Sequence, residues 1–488
     1  MAKRKHSPKL PQLRSVKKST PSQFDKRSRL LKPNPLRQKT TQAKVPLIGS
    51  MAVMIQAIQS LLDQRIAFRL PIIMAGAMLA KGRRTASSWF RFAGVKDDWD
   101  CFYNTLTSIG KSVASLASPL LRIIAKRLDP GPGNFWTIAI DDSPTKRYGR
   151  CVEGANVHHN PTPGPADGDW LFGHCFVCAA LVARHGSWGV IALPILSFLY
   201  VRQCDIPKLD AKYPWKFETK HQLALRLVQL IVQCLRDLGT QAGFRVVFDG
   251  AYAAGPLIKP LVQSGITVIS RLRRDAKLTD LPPARQASKR GRPRKYGLNR
   301  IDLKKRAEHP QGWTSTSYVC RGGAVLRRYK TFMATTTIAD DPILVVIVEF
   351  NNGEWAAYFS TDTNIATEQL LETIADRWSI EEAFHDTKEI WGAGKQQVRN
   401  IWSNIGCWNL NGWLYSLVEL ATWDEDQAAL VDRSDRPWDN AERRPSHADR
   451  RRSIARKMLE KRFFAEFEAS PQTSKIRELW TDLLSLAA

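Results

Sequence analysis

Phe135-Trp136-Thr137-Ile138-Ala139-Ile140-Asp141-Asp142-Ser143 decides the reading of this chain: an apolar run of strand character ends in two carboxylates and a small hydroxyl. Two distant stretches echo it. Phe244-Arg245-Val246-Val247-Phe248-Asp249-Gly250 is a second apolar strand closing on an Asp. Arg377-Trp378-Ser379-Ile380-Glu381-Glu382, followed by Lys388, places a Glu in a helical pattern. Two carboxylates at strand ends and one on a late helix suit a two-metal phosphoryl-transfer site. Mg²⁺ is held by few carboxylates, with water and substrate phosphate completing its shell. Asp141, Asp249 and Glu381 are therefore the predicted catalytic residues and ligands of two Mg²⁺ ions, for which Mn²⁺ would substitute. Asp142 competes with Asp141, but strand alternation sends only one of them into a site, and Ser143 shares the face of Asp141. Glu382 is the fallback for Glu381, turned from it by about 100° of helix.

Around these motifs the periodicity gives an order of elements. Phe135–Ile140, Phe172–Val182 and Gly189–Leu199 read as consecutive strands. A helix over Gln222–Leu238, a strand over Phe244–Phe248, a helix over Pro256–Gln263 and a strand over Ile266–Leu272 follow. That is the order of an α/β, ribonuclease H-like mixed sheet, in which Asp141 and Asp249 end adjacent strands. The predicted core covers 131–273 and resumes over 364–422 with the Glu helix. Between them, 274–363 is a β-rich insertion opening on a basic hinge, Lys289 to Lys295, with strand-like runs at Lys330–Thr336, Ile343–Glu349 and Glu354–Ser360. Residues 423–488 form a basic, helical tail.

The 488 residues carry a formal net charge of +27 and a pI near 9.9, with 43% hydrophobic residues. That length suggests about two to four domains. Such a charge points to a polyanion, and DNA or RNA precedes an anionic membrane surface. No apolar run approaches the roughly 18 residues of a membrane span. No secretory signal core is visible, and eight scattered cysteines suit reduced thiols, so a cytoplasmic, nucleoid-associated protein is expected. Cys175 and Cys178 form a CxxC without a second pair; inside an apolar strand they read as buried structural thiols.

Residues 1–45, with Asp25 their only acid, are expected to be a disordered basic arm that contacts DNA through counterion release. Over 46–130 the spacing of Met51, Met54, Ile55, Ile58, Leu61 and Leu62, then Leu106, Ile109, Val113, Leu116 and Leu120, predicts an all-helical domain. Its basic turn at Arg83-Arg84 suits duplex DNA, although such helices serve equally to pack on the core. Arg290-Gly291-Arg292-Pro293 resembles an AT-hook core for an A·T-rich minor groove, and also suits a solvated linker.

On the Glu helix, Arg377, Glu381 and Lys388 share one face. They form either surface ion pairs or a clamp in which Arg377 and Lys388 hold DNA phosphates beside the metal. Trp378 serves either core packing or stacking on an unpaired base.

Asp376 to His385 with Lys388 resembles the Tyr-Arg-Glu-Lys signature of IS4-like insertion-sequence transposases. Arg377, Glu381 and Lys388 fall in register, and Ile374 stands where the signature has Tyr, so one phosphate-contacting hydroxyl is missing. Asp141 to Gly149, Val152 to Ala155 and His158 to Gly164 are similar to the IS701-like branch, as is Phe248-Asp249-Gly250-Ala251-Tyr252 followed by Arg271-Leu272-Arg273. The resemblance runs from about Pro46 to Arg452. It implies a DDE transposase that cuts element ends, passes through a DNA hairpin and joins the 3′ ends to target DNA, as a homodimer on double-stranded DNA. A ribonuclease H-like nuclease without strand transfer, or a catalytically inactive DNA-binding derivative, would share the same acids and charge.

Overall fold

A computed structural model describes residues 47–480, apart from 48, 150, 161–162, 164–167, 211, 285–291, 293, 432–437, 441, 465–475 and 477–478. The predicted arm over 1–45 and Arg290 lie outside the described residues. Helices come first: α1 (Gly49–Gln59), α2 (Gln64–Ala67), α3 (Arg69–Leu79), α4 (Ala86–Phe92), α5 (Trp99–Lys111) and α6 (Val113–Arg127). Met51, Met54, Ile55 and Ile58 face inward from α1. The helix stops at Gln59, however, and Leu61, predicted to continue its apolar face, is 56% exposed. Thr85 caps α4 by accepting the Ser88 N–H at 3.1 Å.

The sheet begins with β1 (Phe135–Lys146), β2 (Asn156–His159), β3 (Trp170–His185) and β4 (Gly189–Tyr200). After α7 (Ile206–Asp210) and α8 (Lys220–Asp237) come β5 (Gly243–Phe248), α9 (Gly255–Gln263) and β6 (Thr267–Leu272). A capping box between Thr219 and Gln222 starts α8, whose Leu223, Leu227, Ile231 and Leu235 then recur at helical spacing into the core. β3 pairs antiparallel with both β1 and β4, whereas β5 runs parallel to β1 and β6 parallel to β5. Residues 173–182 of β3 are buried throughout, as a strand covered on both faces requires.

The following segment extends this sheet rather than standing apart from it. It comprises β7 (Leu278–Thr279), β8 (Arg300–Ile301), α10 (Leu303–Glu308), β9 (Thr314–Cys320), β10 (Gly323–Thr336), β11 (Ile343–Glu349) and β12 (Trp355–Ser360). β12 pairs antiparallel with β6, giving the order β2-β3-β1-β5-β6-β12-β11-β10-β7-β8, with β4 on β3 and β9 on β10.

The chain then runs through α11 (Thr367–Asp376), α12 (Ser379–Glu389), α13 (Ile401–Ala421), α14 (Gln427–Leu430) and α15 (His447–Phe464). α13 is apolar on nearly every side and is buried accordingly. Its Gly406 meets Gly110 of α5 with no space between backbones: a Cβ on Gly110 would fall 1.8 Å from the Trp402 carbonyl oxygen. Asn409 of α13 accepts the Ser197 N–H at 2.9 Å and donates to the Ser197 carbonyl at 3.1 Å, docking the helix on β4. No helix of the described residues is long and apolar enough to cross a membrane.

Candidate active site

In the parallel pair β1–β5, Ile140 lies opposite Phe248, so Asp141 and Asp249 leave the paired region side by side. β5 ends there. β1 does not end at Ile140 as its apolar run suggests, because the long β3 goes on pairing with it to Lys146. The two carboxylates therefore stand where adjacent strands part. Ser270 fixes the second turn, its hydroxyl donating to the Phe248 carbonyl at 2.9 Å and the Asp249 carbonyl at 3.1 Å.

Alternation separates Asp141 from Asp142. Asp142 turns toward α8, where Lys220 Nζ lies 2.6 Å away, the Tyr252 hydroxyl donates at 3.1 Å and the Cys175 thiol at 3.3 Å. These three donors hold it on the α8 side of the strand. Asp141 faces α12 and is the carboxylate left for the site.

The sequence predicts one helix from Thr367 past Glu381, but the chain turns at Arg377-Trp378 between α11 and α12. The Trp378 N–H bonds Ala375, three residues back, at 3.1 Å, and the Ser379 hydroxyl takes the Asp376 carbonyl at 2.7 Å. Such local bonds compete with the helical ladder and bend it. The turn aims Arg377 at β1. Its guanidinium reaches Asp141 at 3.2 Å and Glu381 at 2.9 Å, joining strand acid and helix acid through one cation. Burial pushes the Asp141 carboxyl up to about 7; Arg377 opposes that shift and the neighbouring Asp249 adds to it.

Lys388 lies on the same side, its ammonium donating to the Pro144 carbonyl at 3.0 Å. Burial lowers its pKa, against the fields of Cys178, Cys175, Glu389 and Asp141. Glu382 is turned away and exposed, 3.4 Å from Arg444. Cys175 and Cys178 are free buried thiols, and burial raises both pKa values, that of Cys178 to about 12.

The donor set suits a hard divalent cation: oxygen ligands, with two carboxylates crowded at the end of a strand pair. In the arrangement described, Arg377 supplies the countercharge, and among the described residues no group of three His, Cys, Asp or Glu is placed to share an ion. Asp141, Asp249 and Glu381 are the oxygen donors there that could hold such a cation, were Arg377 displaced.

Beside Asp249 opens a cleft of ≈ 730 Å³, lined among others by Arg271, Arg321, Tyr358, Ile374, Arg377 and Trp378. Arg271 is exposed and has no carboxylate partner among the described residues. It stands opposite Tyr358 in the β6–β12 pair. Trp378 is 41% exposed and lines this cleft and two adjoining ones. Arg83 and Arg292 are exposed but line none of these three clefts. Arg84 is half-buried, and burial lowers its pKa. Sequence reasoning missed Lys220, Tyr358 and Arg321, and it quoted Tyr252 without giving it a role. A signal existed for Arg271, an exposed arginine near the end of an otherwise apolar strand, next to the strand of Asp249.

The family described as DDE superfamily endonuclease matches residues 59–336, more than half of the chain, a span that holds Asp141 and Asp249 and ends before Glu381. Among solved structures, a cryo-EM structure of the piggyBac transposase synaptic complex with hairpin DNA is similar at 11% identity. Its TM-score is 0.37, over 91% of this chain and 79% of that one. No curated protein matches.

Proposed function

The chain belongs to the DDE superfamily endonucleases, and on that premise we propose that it is a DNA transposase of the insertion-sequence type. It binds element ends, cuts them and joins the freed 3′ ends to target DNA. The observation that carries this reading is the Arg377 bridge, which links Asp141, beside Asp249, to Glu381. The strand order β4-β3-β1-β5-β6, with two parallel steps after an antiparallel set, supports a ribonuclease H-like core. The sequence blocks noted above favour the IS4-like group and its IS701-like branch.

In this reading Asp141, Asp249 and Glu381 hold Mg²⁺, or Mn²⁺ in its place. Two such ions would supply Lewis-acid stabilisation of the attacking and leaving oxygens in an in-line displacement. The chain's own groups do the rest. Arg377 leaves Asp141 and Glu381 for the phosphate at the cut, and Arg271 neutralises charge along the cleft. Lys388 positions Asp141 by gripping β1 at Pro144. The phosphodiester is attacked by water and later by the 3′-hydroxyl, so no protein nucleophile is required. The arm over 1–45, Arg83, Arg290 and Arg292 would hold duplex DNA, and two chains hold two ends.

Incubation of the protein with a labelled duplex from its own element end and Mg²⁺ tests this. Cleaved and joined products are expected. Cleavage without joined products would identify a nuclease lacking strand transfer, and bound but intact duplex would identify an inactive derivative.

A further inference from the structure

Past the Ile140–Phe248 pair the β1–β5 ladder ends, while β1 goes on pairing with β3. The turn that carries Asp249 therefore parts from the strand of Asp141 just where two carboxylates need a fixed spacing to share a cation. Bonds inside the turn are local. The Asp249 carboxylate accepts the Ala251 N–H at 3.0 Å, and the Asp249 carbonyl accepts the Tyr252 N–H at 3.2 Å. They shape the turn without tying it to β1, and Ser270 ties it to β6.

Tyr252 supplies the tie to β1. The residue is 2% exposed, its ring lies 6.2 Å from that of Phe248 and 5.8 Å from that of His221, and its hydroxyl donates to Asp142 at 3.1 Å. Burial, aided by the field of Asp142, raises the Tyr252 phenol well above its ordinary pKa, so it stays a donor. Asp142 follows Asp141 in the chain and faces the other side of β1, so the bond fixes the strand without touching the acid that faces the site. α8 braces the same two segments. A capping box of Thr219 and Gln222 sets its start, and the two residues between them reach one segment each. Lys220 Nζ lies 2.6 Å from Asp142, and the His221 ring donates to the Ala251 carbonyl at 3.3 Å.

We propose that Asp142 and Tyr252 are positioning residues: their bond, braced by Lys220 and His221, holds the strand of Asp141 and the turn of Asp249 at the spacing a divalent cation requires. Asp142 is then no ligand itself, and Tyr252 is too buried to reach DNA. Groups that orient metal ligands from behind typically set about 10–100-fold of metal affinity. A shift of the ligands by more than about 0.5 Å is enough to lose it. The inference rests on the carboxylate assignment above, but its test is a metal-binding difference that does not depend on cleavage.

The experiment titrates Mg²⁺ calorimetrically into the full chain without DNA, for the parent and for Tyr252→Phe, Asp142→Asn and Asp142→Ala. Tyr252→Phe keeps the ring and removes only the hydroxyl, and its Mg²⁺ affinity should fall about tenfold. Cleavage of end duplex by this variant should be slow at low Mg²⁺ and approach the parent rate at saturating Mg²⁺. Asp142→Asn and Asp142→Ala remove the same charge, but asparagine still accepts the Tyr252 hydroxyl. Asp142→Asn should therefore bind Mg²⁺ several-fold more tightly than Asp142→Ala; should the alanine variant not fold, Tyr252→Phe decides alone. A lowered melting temperature with unchanged Mg²⁺ affinity in Tyr252→Phe would make the bond merely structural and overturn the proposal. Equal loss in Asp142→Asn and Asp142→Ala, with Tyr252→Phe like the parent, would make Asp142 a ligand and overturn it too. Both of those outcomes leave Asp141 and Asp249 in place, whereas a parent that binds no Mg²⁺ would sink the carboxylate assignment itself.

Discussion

The guanidinium of Arg377 lies 3.2 Å from the carboxylate of Asp141, across 236 positions of chain. The two side chains are only 15% and 18% exposed, so this is no loose surface pair. The other terminal nitrogen of the guanidinium reaches Glu381. The same arginine thus neutralises two of the three acids assigned to the cation.

Arg377→Ala should therefore do two things at once. Cleavage or joining should fall tens-fold or more, since a charge-assisted bond to phosphate is worth about 1.5–3 kcal/mol. Mg²⁺ affinity without DNA should rise, because the competing cation is gone; titration calorimetry reads it directly. Arg377→Lys should not rescue activity, as an ammonium cannot grip a phosphate with the two-nitrogen fork of a guanidinium. Full activity in Arg377→Ala removes it from the mechanism.

The Asp141 carboxyl sits at about 7 in the folded chain, against an ordinary ~3.9. The folded state then binds the extra proton, so this contribution to stability is complete below about pH 4 and is lost as pH rises through about 7. Metal-free protein should melt earlier at about pH 8 than at about pH 6. Asp141→Asn should flatten that dependence and be more stable than the parent at the higher pH, by on the order of 1–3 kcal/mol. Mg²⁺ requires the deprotonated acid, so its stabilising increment should grow over the same interval. A Mg²⁺ increment independent of pH would remove Asp141 from the ligand set.

What could be read from the residues, and what could not, follows from the range of the forces involved. Phe135–Ile140 and Phe244–Phe248 are local patterns, and each gives its strand and the carboxylate behind it without further information. The true end of β1 is not local: it depends on β3, whose length keeps residues 141–146 paired. Likewise the turn at Arg377-Trp378 depends on a serine bonding backward to Asp376, which helical periodicity passes over. Lys220 and Tyr252 meet Asp142 only because α8 packs on β3 beside β1 and β5 runs parallel to β1. Arg321 escapes a sequence reading for the same reason, since its hairpin meets Trp378 only in the folded chain.

Asp249→Asn should abolish Mg²⁺-dependent cleavage while end-DNA binding stays near normal. The substitution removes a metal ligand and keeps the shape that accepts the Ala251 N–H at 3.0 Å. A labelled-end assay beside a binding titration separates the two. Cleavage at the parent rate would show that Asp249 is not catalytic.

Removal of residues 1–45 should weaken DNA binding across sequences, because the arm acts on DNA electrostatically. For every phosphate that the arm neutralises, its removal should lower the slope of log affinity against log salt by about one. Affinity measured at three or four salt concentrations decides it, and an unchanged slope would leave the arm as solvated chain.

Ile374 gives the sharpest question about how the cleft holds phosphate. It stands one turn before Arg377, half-buried, and lines the same cleft as Asp249, Arg377 and Tyr358. A tyrosine there would put a hydroxyl into the cleft rather than into the core, so Ile374→Tyr should fold with at most about 1 kcal/mol of destabilisation. The Tyr358 phenol already stands across the cleft, where burial raises its pKa and Arg271 and Arg377 oppose the shift. If Tyr358 supplies the phosphate hydroxyl, Ile374→Tyr should leave cleavage unchanged and Tyr358→Phe should slow it several-fold, the cost of one hydrogen bond to a charged oxygen. The double variant then decides between redundancy and replacement: Ile374→Tyr should restore cleavage in the Tyr358→Phe background if both hydroxyls reach the same phosphate. Destabilisation of Ile374→Tyr by several kcal/mol would mean that Ile374 belongs to the core and that the cleft does not extend to it.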